Sequence, residues 1–121
     1  MAEFPDRLKG LFLNQERNNA GIYGVTFYIR GKPWVVTVDD IMLFGDEDNP
    51  ELVFLQPSLE GKAIWGPILE KAWAKVRGNY LNVDGGIVKN GLRLLTGAPV
   101  FSYSTSDIST QTALTEVWER I

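Results

Sequence analysis

Cysteine and histidine are both missing from these 121 residues. Without cysteine there is no disulfide framework, no thiolate metal site and no thiol nucleophile. Without histidine the commonest zinc ligand is gone, and so is the ordinary base that activates a serine, threonine or cysteine nucleophile. Any metal would have to be a hard cation held by oxygen. No apolar run reaches the length of a membrane span, and Met1-Ala2-Glu3-Phe4-Pro5-Asp6 shows no basic stretch followed by an apolar one. Positive charge is in the minority: twelve Lys and Arg stand against fifteen Asp and Glu, a formal charge of -3. With no basic cluster along the chain, nucleic acid is not the expected partner. Gly-x-Gly-x-x-Gly, Walker-type and metal-ligand motifs are absent as well, so dehydrogenase, nucleotide hydrolase and zinc hydrolase readings have no support.

What is present suits one compact unit. Hydrophobic residues make up 45% and aromatics 12% of the chain, enough for a single core and too little length for two ordinary domains. The expectation is a soluble, intracellular, cytoplasmic chain that needs no cofactor.

Periodicity gives an α+β fold. Tyr23, Val25, Phe27 and Ile29 alternate with smaller or polar residues, and Trp34, Val36 and Val38 repeat the pattern, as strands with one buried face do. Gly31-Lys32 between them predicts a two-residue type II′ hairpin loop, with Pro33 at a strand start. Leu52-Val53-Phe54-Leu55, after the acidic loop Gly45 to Pro50, predicts a third short strand. The period then becomes helical. Ile64, Ile68, Ala72 and Val76 recur every fourth residue, Pro67 falls near the first turn and Gly78 is a natural stop. Ile87, Gly91, Leu94 and Leu95 predict a shorter helix ended by Gly97. Leu114, Val117, Trp118 and Ile121 predict another, with Asp107, Ser109 or Thr110 as its cap.

Two blocks carry a resemblance. Asn19-Ala20-Gly21-Ile22-Tyr23 followed by Gly31-Lys32-Pro33-Trp34-Val35-Val36-Thr37-Val38-Asp39-Asp40 is one. Trp65-Gly66-Pro67-Ile68-Leu69-Glu70-Lys71-Ala72-Trp73-Ala74-Lys75, with Gly78-Asn79-Tyr80, Asp84-Gly85-Gly86 and Leu95-Thr96-Gly97, is the other. In this order and on these element types they resemble the core of calpain-type cysteine proteases, in the papain-like clan, over about Asn18 to Gly97. The resemblance implies that the chain corresponds to the segment between the catalytic Cys and the catalytic His and Asn. Residues 1–97 would be the rear part of the first protease subdomain, and 98–121 the start of the second subdomain or a terminal helix.

Little of the family's chemistry transfers residue by residue. Gly86, with Gly85 before it, matches a position whose backbone pairs with substrate, although a plain turn between two helices is the favoured reading. Ala63 stands where conventional members carry a calcium-binding Glu. No catalytic and no metal-binding residue is therefore assigned. Asp39-Asp40 reads as a solvated strand end rather than a paired-carboxylate site, because adjacent strand residues point to opposite faces, and Asp46-Glu47-Asp48-Asn49 with Glu51 reads as an acidic surface loop rather than a weak calcium site, since it lacks the EF-hand order. Glu70 and Lys71 read as the solvent side of the long helix. Three of the four tryptophans, Trp34, Trp65, Trp73 and Trp118, fall in apolar stripes and read as core.

Two functions follow. The chain is a segment of a calpain-like endopeptidase, inactive by itself for want of Cys and His. Alternatively it is a complete non-catalytic structural or docking subunit of a larger intracellular assembly. Both imply a protein partner over the exposed partial core, contributed by the missing protease segments or a larger complex.

Overall fold

A computed structural model describes residues 3–46, 48, 51–53, 55–56, 63–102, 115 and 118–119. Helix α1 (Pro5–Lys9) leads into an arm that reaches β1 (Ile22–Ile29) and β2 (Lys32–Asp39). Helix α2 (Trp65–Arg77), a short 3-10 helix (Tyr80–Val83) and α3 (Val88–Thr96) follow. This is the α+β arrangement expected, an antiparallel hairpin backed by a long helix.

The hairpin runs in register from Ile22 opposite Asp39 to Ile29 opposite Lys32. Its loop is therefore Arg30-Gly31, not Gly31-Lys32. Both loop residues have positive φ, 53° and 77°, which defines a type I′ turn in place of the type II′ expected. The type I′ turn matches the right-handed twist of the strands, and Gly31 takes the second left-handed position without steric penalty. Pro33 is the second residue of β2, opposite Tyr28.

One face of the hairpin makes the core. Tyr23, Val25 and Phe27 from β1 and Val36 and Val38 from β2 are buried against Ile68 and Ala72 of α2 and Leu94 of α3. Phe27 meets the edge of Trp73 with ring centroids 6.3 Å apart at 77°. Alternation and the four-residue stripe thus meet on one surface. The expected core tryptophans do not: Trp34 is 62% and Trp118 79% exposed. Trp34 shares the side of Val36 and Val38 but lies nearer the hairpin loop, where it is left uncovered.

The outer margin of β1 is occupied. Leu13 N–H donates to the Gly24 carbonyl (2.9 Å) and Thr26 N–H to the Leu11 carbonyl (2.7 Å). The Asn14 amide extends this row by donating to the Ile22 carbonyl (2.9 Å) and accepting from Gly24 N–H (3.1 Å). On β2, Lys75 Nζ reaches across from α2 to the Thr37 carbonyl at 2.7 Å.

Helix ends follow their glycines. Gly78 ends α2 at φ 99°, and Gly97 ends α3 in the left-handed region at φ 68°, its N–H donating to the Arg93 carbonyl at 2.9 Å. Tyr28 lies over Gly97 so closely that a Cβ there would stand 2.7 Å from its ring.

The third strand shrinks to a bridge. Leu52 faces Phe44, with Gly45 N–H donating to Glu51 (2.8 Å) and Val53 N–H to Leu43 (3.1 Å). Among the described residues beyond the bridge, Leu55 N–H donates to Glu70 Oε2 of α2, 2.8 Å away. Phe54 lies outside the described residues, as do Asp107, Ser109, Thr110 and most of the C-terminal helix predicted around Trp118.

Candidate functional site

Two hollows flank α2. The larger, about 760 Å³, opens between α1 with its following arm and the start of α2. Its apolar wall is Leu8, Phe12, Tyr23, Ile64, Trp65 and Ile68, while Lys9, Arg17 and Asp40 supply charge. The sequence builds this wall from three sources: one turn of α1 presenting Leu8, the arm presenting Phe12, and the first residues of α2. Ile64 and Trp65 remain 41% and 39% exposed, so among the described residues this end of the helix stripe is only partly covered. Ala63 sits in the same wall. A methyl group there contributes no oxygen to a cation, and among the described residues no cluster of three or more acidic, His or Cys side chains could hold a metal.

The smaller hollow, about 260 Å³, lies at the other end of α2 between Val38, Asp39, Lys71, Ala74, Lys75, Gly78, Asn79 and Tyr80. Two of its charges pair with each other, and Lys75 is bonded to the Thr37 carbonyl. Lys71 Nζ stands 2.5 Å from Asp39 Oδ1 and also donates to the Ile41 carbonyl. That hydrogen bond, with the Ile41 N–H, holds the Asp39 carboxyl below its ordinary value. Burial pushes the Tyr80 phenol up, and the negative charges of Glu70 and Asp39 push it further.

Asp39 and Asp40 separate as strand geometry requires. Asp39 turns to Lys71, whereas the Asp40 carboxylate packs on Gly21, leaving no room there for a side chain, and lines the larger hollow. Glu70 and Lys71, read as merely solvent-facing, instead tie α2 to the loops after β2. Periodicity places them correctly on the polar side of the helix but says nothing of the loop backbone that crosses it.

Gly85 and Gly86 form the turn between the 3-10 helix and α3. Gly85 has φ 82°, and a Cβ built on either glycine would meet nothing within 4 Å. They line neither hollow. Among the described residues, no helix is long and apolar enough to cross a membrane.

Comparison with known proteins gives this framework its lineage. The family described as calpain family cysteine protease matches over residues 1–121. The chain is 36% identical over 91 residues, 75% of its length, to the calpain-type cysteine protease DEK1 of Zea mays, and covers 4% of that protein. It is 41% identical over 88 residues, 70% of its length, to the calpain-2 catalytic subunit of Homo sapiens, covering 12% of it. It thus spans only a small part of the relatives it matches. The hairpin, the tryptophan-led helix and the match along the whole chain lead to one conclusion: the chain belongs to the calpain family of cysteine proteases.

Proposed function

We propose that these residues are a scaffold segment of a calpain-like cysteine endopeptidase and do not hydrolyse peptide bonds by themselves. Peptide cleavage in this class needs a thiolate to attack the carbonyl and an imidazole to take and return the proton, and the sequence holds neither group. What the chain supplies is a surface. The observation that carries the reading is the groove of about 760 Å³ with Ile64 and Trp65 exposed in its wall, at the start of the helix that bears the family signature. An apolar wall of this kind, with Lys9 and Arg17 beside it, fits a protein segment bearing the nucleophile. The partner is accordingly a polypeptide, and the setting is the cytoplasm. With Ala63 at the family's carboxylate position, calcium control through that position is lost.

The test has two arms. The purified chain, incubated with an unfolded protein and calcium, should release no peptides, and cleavage that survives exhaustive purification overturns the inactive reading. A polypeptide carrying a calpain-like Cys segment should bind and shift Trp65 fluorescence, with Trp65→Ala abolishing binding. Copurification of the native chain with an unrelated large assembly, and no binding of the Cys segment, would favour the docking-subunit reading instead.

A further inference from the structure

We propose that the Asp84-Gly85 peptide is a self-modification site, at which the chain isomerises to an isoaspartyl linkage with water as its only co-reactant.

The chemistry is local and balanced. The Gly85 backbone nitrogen attacks the Asp84 side-chain carboxyl carbon, a C–N bond forms, and one carboxyl oxygen leaves as water with the amide proton and a proton from solvent. Water then opens the five-membered imide. Breaking the bond to the side-chain carbonyl restores aspartate, and breaking the bond to the main-chain carbonyl leaves the backbone routed through the Asp84 Cβ. The reaction needs a small residue after the aspartate, an unshared carboxylate and freedom to rotate ψ of Asp84.

The structure shows the first two at this peptide, and the glycines that follow favour the third. Asp84 is exposed with extended backbone, φ -68° and ψ 94°, and no hydrogen bond or ion pair of its carboxylate occurs among the described residues. Gly85 brings no side chain against the ring, and a Cβ built on Gly85 or Gly86 would meet nothing within 4 Å. The residues just before are held fast: Asn79 Oδ1 accepts from Asn82 N–H at 3.0 Å, and the Asn82 amide donates to the Arg77 carbonyl at 2.8 Å. Asp84 stands just beyond them, followed by two successive glycines that allow backbone angles closed to other residues.

Asn90-Gly91 is an internal control. An Asn-Gly pair forms the same imide more readily than Asp-Gly in a free peptide, and a Cβ on Gly91 would also meet nothing within 4 Å. Yet Asn90 lies in α3, its N–H donating to the Ile87 carbonyl at 2.9 Å. Helical ψ keeps the Gly91 nitrogen away from the side-chain carbon, so α3 must open first.

The isomerisation itself is independent of the function proposed above.

The experiment ages the folded chain at neutral pH and body temperature, then maps peptides by mass and labels them with an isoaspartyl methyltransferase. Isoaspartate should accumulate at residue 84, and the signal there should be lost in Asp84→Glu, which cannot close the five-membered ring. Ageing in heavy-oxygen water should place the label in residue 84. At residue 90 the reaction should run about tenfold or more slower than in the denatured chain, because helix opening precedes it. An unmodified residue 84 without heavy oxygen, or residue 90 reacting first in the folded chain, overturns the proposal.

Discussion

Lys71 Nζ and Asp39 Oδ1 stand 2.5 Å apart, joining the middle of α2 to the last residue of β2. The same ammonium donates to the Ile41 carbonyl, so one side chain fixes both the strand end and the start of the loop beyond it. Asp39 is held below its ordinary 3.8 chiefly by the Lys71 hydrogen bond. A folded value below the unfolded one means that the pair's stabilisation is present above about 3.8 and is lost as pH falls through the lowered folded value. Melting temperature of Asp39→Asn should therefore trail that of the parent at neutral pH and converge with it under acid. The Asp39 side chain is 52% exposed, so the gap should be small and shrink with salt. Parallel pH profiles for the two chains would remove the pair from the account.

Gly97 closes α3 at φ 68° under the ring of Tyr28. Gly97→Ala should destabilise by about 1–3 kcal/mol in denaturant titration, through the left-handed backbone and the clash together. Combining it with Tyr28→Ala should recover part of that loss, a coupling that backbone strain alone does not produce.

Phe27 and Trp34 face one another across the hairpin, yet only one of them is core. Phe27 is 0% and Trp34 62% exposed. Phe27→Ala should lower stability by about 3–5 kcal/mol. Trp34→Ala should stay within about 0.5 kcal/mol in the isolated chain. A large loss for Trp34→Ala would mean that the tryptophan is covered in solution.

Glu70 accepts the Leu55 amide at 2.8 Å. Glu70→Ala should speed hydrogen exchange at Leu55 while leaving the exchange of Phe27 and Val36 unchanged. The global loss should be at most about 1 kcal/mol, since the bond lies at the surface. Unaltered exchange at Leu55 would show that the loop is held by other means.

Much of this fold was legible because its strongest signals are periodic. Tyr23, Val25 and Phe27, and Ile68 with Ala72, announce buried faces that meet in the core. What failed was local. Helix α1 buries nothing and has no side-chain cap, so no stripe or capping pattern announces it. The hairpin loop was misplaced by one residue because Arg30 gives no hint that it will adopt positive φ. Trp34 misled because alternation identifies a face but not where along it the covering helix ends. For the site, the family signature and the missing Cys and His were readable at once. The larger hollow was not, since it joins Leu8 and Phe12 to Trp65 across more than fifty residues of chain, a juxtaposition that only folding creates. The roles of Glu70 and Lys71 were hidden for the same reason.

The Lys75 contact with Thr37 also has a bearing on aggregation. Leu11 and Leu13 bond to Thr26 and Gly24, so the opposite β2 residues Val35 and Thr37 turn their main-chain groups outward on the far side. A stray strand seeking to extend the sheet would find no N–H on Pro33 and the Thr37 oxygen already claimed by an ammonium. Among the described residues, Val35 and Asp39 turn outward main-chain groups with no backbone partner, and the claimed Thr37 oxygen interrupts the row between them. The exposed margin of β2 thus presents an interrupted backbone to any strand that would extend the sheet.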